Sequence, residues 1–156
     1  MSTWINGVEV QRGLDVRRTI KSITFAGATP NAIGDFDGTG NPATVFAVTG
    51  TVLARVIAVC TTSLTFAATA TIEVGIVGDT ATIIAQTPMD TAPLVAQEIW
   101  HDATPDKEIE LSTVAGERII SDGNDIILTV GTANVNAGVI QFVCFWTPVS
   151  ANGSVV

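Results

Sequence analysis

The sequence predicts an all-β protein: an antiparallel β-sandwich, jelly-roll-like, with about eight to ten strands. Three observations support this fold class. Val, Ile and Thr, whose branched side chains suit the pleated sheet, are abundant throughout the 156 residues. Short apolar segments alternate with turns rich in Gly, Pro and Asn. No segment sustains the 3.6-residue apolar period that a helix packed on a core requires.

The length favours a single domain. We predict an extended N-terminal arm over residues 1–16, one sandwich domain over residues 17–149, and a tail over residues 150–156 that is flexible or docks on a neighbour. The first strand is expected at Arg17–Phe25. Residues 27–42 contain four Gly and two Pro, so they are predicted to form a long loop.

Residues 43–60 are predicted to form one long strand or two collinear strands, with a bulge or bend at Gly50. Residues 70–86 have the pattern of a hairpin, whose turn is placed at Gly78–Asp79. Short strands are expected among the turns that follow. The candidates are Leu94–Trp100, Glu108–Leu111 and Glu117–Ile120.

The last strand pair is predicted over residues 126–130 and at Val139–Trp146. One side of the second strand would carry Ile140, Phe142, Cys144 and Trp146, which we assign to the sandwich core. Its other side, which a solvated sheet would make polar, is mostly apolar as well. We therefore expect this side to be buried between subunits. The candidate intersubunit residues are Val139, Val143 and Phe145.

The low proportion of charged residues also favours subunit contacts. Only 14% of residues are charged, against about 25% in a typical soluble domain, and the cores of protein interfaces are depleted in charge. A membrane span would need about 18 uninterrupted apolar residues, which the sequence does not contain. The N-terminal residues also lack the basic-then-apolar order of a secretory signal. We expect no membrane partner.

Charge is unevenly distributed along the chain. The net charge is −8; residues 1–21 contain four basic and two acidic residues, and residues 22–156 contain three basic and thirteen acidic residues. An acidic body argues against nucleic-acid binding. The basic residues near the N-terminus are either a docking arm for an acidic partner or the solvated surface of the first strand. They are Arg12, Arg17, Arg18 and Lys21.

Residue patterns that could support chemistry are sparse. His101 is the sole histidine and is followed by Asp102, but a metal site would need further ligands, and no recognisable nucleophilic serine accompanies the pair. We expect His101 to lie in a loop or at a strand end. Asp35 and Asp37 lie in a segment that resembles a calcium loop without its closing Glu, and turn formation explains them as well.

The two cysteines, Cys60 and Cys144, are interpreted as small buried hydrophobic residues, with a disulfide between them left open. We therefore predict a protein that is not an enzyme, with no catalytic residues, no metal and no cofactor.

Three segments resemble a known class of proteins: TATIEVGIVGDTATIIAQT, EIWHDATP and DGNDIILTVGTANVNAGVIQFVCFWTPVSANGSVV. Across residues 43–156 the chain is similar to small virion proteins of tailed bacteriophages, of the head decoration (cement) type. The resemblance implies a compact β fold and a homotrimer on the outer capsid surface of the virion. It also implies that the major capsid protein is the partner, whose subunit contacts the trimer stabilises. It assigns no catalytic residue.

Other functions remain open from the sequence. The chain could be another virion component, such as a head fibre base or a tail protein. Three tryptophans and the loop aspartates also suit a carbohydrate-binding β-sandwich module. An enzyme would require a pocket of converging polar groups that the sequence does not predict.

Overall fold

A computed structural model describes residues 3–5, 8–10, 16–107, 116–121 and 124–156, the first two ranges as backbone only. The described residues form thirteen strands and no helix. The strands are β1 (Thr3–Ile5), β2 (Val8–Val10), β3 (Arg17–Phe25), β4 (Ala43–Phe46), β5 (Val48–Thr49), β6 (Val52–Phe66), β7 (Thr71–Ile76), β8 (Asp79–Pro88), β9 (Ile99–Trp100), β10 (Arg118–Ile120), β11 (Ile126–Gly131), β12 (Val135–Pro148) and β13 (Ser154–Val155).

Two antiparallel sheets form the body of the fold. In one sheet the strands follow the order β10-β6-β12-β3, with β9 also paired to β6, and in the other the order is β4-β11-β7-β8. Two small pairs, β1–β2 and β13–β5, complete the described structure. The predicted all-β, sandwich-like fold is confirmed. The jelly-roll-like arrangement stays a prediction. The strand number exceeds the predicted range because several strands are only two or three residues long.

The core lies between the inner faces of the two sheets. In β12 the predicted core residues Ile140, Phe142 and Cys144 are fully buried, and Trp146 is nearly so. Phe142 packs edge-on against Trp100, with ring centroids 6.2 Å apart, a favoured geometry for aromatic pairs. Both predicted faces of β12 therefore follow the two-residue period of a strand.

The bend predicted at Gly50 is present, because Gly50 has a φ of 64° and separates β5 from β6. The single strand or collinear pair predicted over residues 43–60 is wrong, because β4, β5 and β6 belong to three different sheets. The predicted hairpin is also present as β7 and β8. Its turn is formed by Val77 and Gly78, one residue earlier than predicted. Gly78 has a φ of 92°, a conformation that glycine adopts without steric cost.

The short strands differ from the prediction in extent. Of Leu94–Trp100 only the last two residues form a strand, β9, because this segment turns back toward β6 with Cys60 as its backbone partner. The strand predicted near residue 118 is β10. Glu108–Leu111 lies outside the described residues.

Residues 27–42 form the predicted loop, which is closely hydrogen-bonded to the sandwich. The loop forms two backbone hydrogen bonds with Val135. The Gly27 N–H donates to the Val135 carbonyl, and the Val135 N–H donates to the Gly34 carbonyl. The side-chain amide of Asn41 forms the two hydrogen bonds that a neighbouring strand would form with Val130. It donates to the Val130 carbonyl and accepts from the Val130 N–H. The loop is thereby fixed on β11 and β12.

Residues 150–156 were predicted to form a tail that is flexible or docks on a neighbour, and this prediction is corrected. The segment docks on its own chain, because β13 pairs with β5. Val155 is buried there, and Val156 exchanges two backbone hydrogen bonds with Ala47. An apolar side chain and unpaired backbone groups near the sandwich end explain why the tail docks on its own chain.

Candidate interaction surface

The candidate surface is built by the register of the five-stranded sheet. Residues directly opposite each other on neighbouring strands share a face. Phe145 of β12 lies between Arg18 of β3 and Arg55 of β6, and Val143 lies between Ile20 and Ile57. Because the alternate residues of β12 fill the core, these positions point away from it.

We define the outer face as the side of this sheet that points away from the core. Its members on the described strands include Arg18, Ile20, Ser22, Thr24, Leu53, Arg55, Ile57, Val59, Thr62, Ile99, Ile119, Val139, Gln141, Val143, Phe145 and Thr147.

Most outer-face side chains are apolar. Ile119 is 72% exposed and Ile20 is 45% exposed, whereas Val143 and Phe145 are half-buried by their neighbours. Contiguous exposed apolar surface of this kind typically marks an interaction site. The candidate intersubunit residues Val139, Val143 and Phe145 all lie within it, and their burial between subunits stays a prediction.

On β3, β6 and β12 the charged groups of the outer face are both guanidinium groups. Arg18 and Arg55 occupy opposite sides of Phe145, and Cζ of Arg55 lies 5.4 Å from the centroid of the Phe145 ring. The Nε atom of Arg55 is buried without a hydrogen-bond partner. We call these three residues the Arg-Phe-Arg row. The row is cationic at both ends and apolar at its centre.

The other predicted docking residues do not join this row. Arg17 and Lys21 lie opposite Trp146 and Phe142, so the two-residue period of β3 puts them on the inner side, beyond the edge of the core. Arg17 lies over the Trp146 ring, with Cζ 5.1 Å from its centroid. Arg12 lies outside the described residues. The three described basic residues are therefore divided between two sides of β3, and a docking role for them stays a prediction.

β3 is also the edge strand of its sheet. Exposed edges can pair with foreign strands, and charged side chains are a common means of preventing this. Arg17, Arg18 and Lys21 provide such protection whatever else they bind. This is a second physical role for the basic cluster, and it needs no partner.

His101 follows β9 and is buried. Its Nδ1 lies 3.9 Å from Oδ2 of Asp102. Its neighbour Trp100 donates from Nε1 to the Thr87 hydroxyl at 2.8 Å, and Thr87 Oγ1 lies 3.3 Å from the Asp102 carbonyl. These contacts tie β9 to β8 inside the core. Among the described residues no three His, Cys, Asp or Glu side chains are grouped to hold a metal ion.

One of the two loop aspartates, Asp35, has a structural role in the described contacts. Asp35 is buried and accepts a hydrogen bond from the Asn31 N–H at 2.8 Å. Asn31 has a φ of 63°, a conformation that asparagine tolerates better than most residues. The calcium-like sequence around Asp35 therefore forms a side-chain-stabilised turn.

Both cysteines are buried free thiols, as predicted for small hydrophobic residues. Burial raises the pKa of Cys144 to about 12. Burial, with a smaller effect from the charge of Glu98, raises the pKa of Cys60 to about 11. Thiols in such surroundings are poor nucleophiles at neutral pH.

A small cleft opens between β8 and β10, the edge strands of the two sheets. Ile76, Ile83 and Ile120 contribute apolar walls. Arg118 spans the cleft and donates from Nε to the Thr82 carbonyl at 3.0 Å. Among the described residues that line the cleft, no acid, base and nucleophile converge as an active site requires.

Comparison with protein-family models, with curated proteins and with solved structures finds no match. In the part of the chain that the structure describes, there is no helix long and apolar enough to span a membrane. The outer face is thus the described surface with the clearest physical signature of binding.

Proposed function

We propose that the protein is a structural virion protein, a capsid decoration protein that binds the outer capsid surface as a homotrimer. In this role it stabilises contacts between major capsid subunits. The resemblance across residues 43–156 to head decoration proteins of tailed bacteriophages motivates the proposal. The all-β fold agrees with that resemblance.

The observation that carries the proposal is the outer face. A sheet covered on one side only should alternate apolar and polar residues, yet the central strand β12 presents Val139, Val143 and Phe145 to the outside. Removing this surface from water is favourable by roughly 25 cal/mol per Å² of apolar area. A neighbouring subunit is the simplest source of that cover in a self-assembling particle.

Trimers would bind a capsid lattice through repeated contacts. Each individual contact can be weak, because linked binding events raise the overall affinity by about 10²–10⁴-fold without new interactions. A closed three-fold ring matches the rotational symmetry that such oligomers usually have. No reacting group is needed for this role.

Two measurements test the proposal. Sedimentation analysis of the purified protein should show a trimer at micromolar concentration. Shells assembled from the major capsid protein encoded next to its gene should bind the trimer saturably in co-sedimentation. A chain that does not bind such shells, or that has no capsid and portal genes as neighbours, would contradict the decoration role.

Imaging a labelled particle separates this role from its nearest rival. Label distributed over the head supports decoration of the capsid. Label confined to the tail or to single fibres would replace it with another virion role.

A further inference from the structure

We propose that the Arg-Phe-Arg row receives carboxylates from a different, acidic surface of a second copy of this chain, in a head-to-tail contact. This inference rests on the self-association in the proposed function and specifies its geometry. It assigns Arg18 and Arg55 as the residues that select the partner surface.

Charge complementarity identifies the partner. On β3, β6 and β12 the outer face has two guanidinium groups and no carboxylate. The described pairings add one acidic residue, Asp106, opposite Ile99 at the β9 edge. The chain as a whole has 15 acidic and 7 basic residues. Most of the protein surface is therefore attractive to this face, and a second copy brings that surface with it. Exposed carboxylates away from the outer face include those of Asp37, Asp79 and Asp90.

The arginines have binding capacity that the described contacts leave unused. Within residues 16–107, 116–121 and 124–156, neither Arg18 nor Arg55 forms an ion pair. Arg55 contacts the Phe145 ring, and its buried Nε has no acceptor. Buried guanidinium donors normally find a partner, and guanidinium groups bind carboxylates through two parallel hydrogen bonds. Arg18 is exposed, so a carboxylate arriving from another molecule can reach its guanidinium group.

The same charges disfavour a face-to-face dimer. A two-fold axis through Phe145 would bring two copies of Arg18 and two copies of Arg55 together. Like charges in close contact repel each other more strongly near a protein surface than in water, because the effective dielectric constant there is lower. A head-to-tail contact places each arginine against the acidic body instead. Repeated by rotation, such a contact closes into a ring.

The test uses charge reversal with a control on the same strand. Arg18→Glu reverses a charge on the outer face, and Lys21→Glu makes the same change in net charge on the other side of β3. Both positions are exposed, so both variants should fold, which circular dichroism checks. We expect R18E to raise the self-dissociation constant at least ~10-fold and K21E less than ~2-fold, since reversing an interfacial charge replaces attraction with repulsion.

A mixing experiment distinguishes the two geometries. In a head-to-tail ring, fluorescent R18E keeps its acidic surface and binds a wild-type outer face, but it cannot receive the next copy. Added R18E should therefore reduce the trimer fraction of the wild-type protein in sedimentation velocity. If the outer faces paired with each other, R18E and wild type would instead form a mixed dimer tighter than either parent.

Three results would overturn the inference: a mixed dimer of that kind, equal effects of R18E and K21E, or a wild-type chain that stays monomeric at ~100 µM. Its failure is distinguishable from failure of the decoration role. A monomer that still binds capsid shells would refute only the contact proposed here. A trimer that depends on Arg18 but ignores the shells would refute only the decoration role.

Discussion

Replacing Thr87 with valine should destabilise the fold, because it removes a buried hydroxyl that accepts from Trp100 and donates to the backbone. Thr87 is fully buried, and its hydroxyl accepts from the indole N–H of Trp100 at 2.8 Å. Valine has the same shape but no acceptor, so the indole N–H remains buried without a partner. That loss costs about 1–3 kcal/mol, and the added methyl group offsets up to about 0.8 kcal/mol. We expect a net loss near ~1.5 kcal/mol, or about 3–6 °C in Tm.

The assay is urea unfolding followed by circular dichroism, with Thr65→Val as the matched control. Thr65 lies exposed on β6, so T65V should change the free energy of unfolding by less than ~0.5 kcal/mol. Combining Thr87→Val with Trp100→Phe removes donor and acceptor together. The double variant should therefore be at least ~1 kcal/mol more stable than the sum of the single effects predicts. Additive effects, or a T87V variant that matches T65V, would refute this reasoning.

Three further predictions concern the thiols, the glycines and the C-terminal strand. Burial raises the pKa of Cys60 to about 11 and of Cys144 to about 12, against 9.0 for a free thiol. Folding stability should thus fall as pH rises above 9, because these thiols ionise there only in the unfolded chain. Melting curves recorded up to pH 10.5 would show this fall, and Cys144→Ala should make it less steep. Gly138→Ala should cost about 2–3 kcal/mol, since φ is 118° and a Cβ would lie 2.6 Å from Leu64. Gly78→Ala has open space for its Cβ and only the strain of a positive φ of 92°, so in the same urea assay it should cost less, about 1–2 kcal/mol. Deleting residues 154–156 should cost more than ~2 kcal/mol because it removes a buried valine and a strand pair; an unchanged urea midpoint would contradict the docked tail.

The sequence predicted the parts of the fold that depend on local pattern. The two-residue period assigned the core side of β12, including Phe142 and Cys144, without knowledge of the neighbouring strands. The loop over residues 27–42 and the bend at Gly50 followed from turn chemistry. These features are set by backbone geometry and apolar spacing, which are visible in one chain segment at a time.

The features that depend on distant pairing were not visible. The Arg-Phe-Arg row joins residues from positions 18, 55 and 145, and only the register of three strands aligns them. The basic cluster near the N-terminus looked like one surface in the sequence, but alternation along β3 divides Lys21 from Arg18. The tail was misassigned because its strand partner, β5, lies about a hundred residues earlier, beyond the reach of any periodicity.

One loop contact affects the susceptibility of the protein to deamidation. Asn41 both donates to and accepts from the backbone of Val130, so conversion of its amide to a carboxylate would set a negative charge against two carbonyl oxygens. The usual deamidation route needs the backbone nitrogen of the next residue as nucleophile, and here that residue is Pro42, which has no N–H. Pro42 therefore protects the Asn41 amide from deamidation. Asn152, exposed and followed by Gly153, has no such shield, so charge variants of stored protein should accumulate there rather than at Asn41.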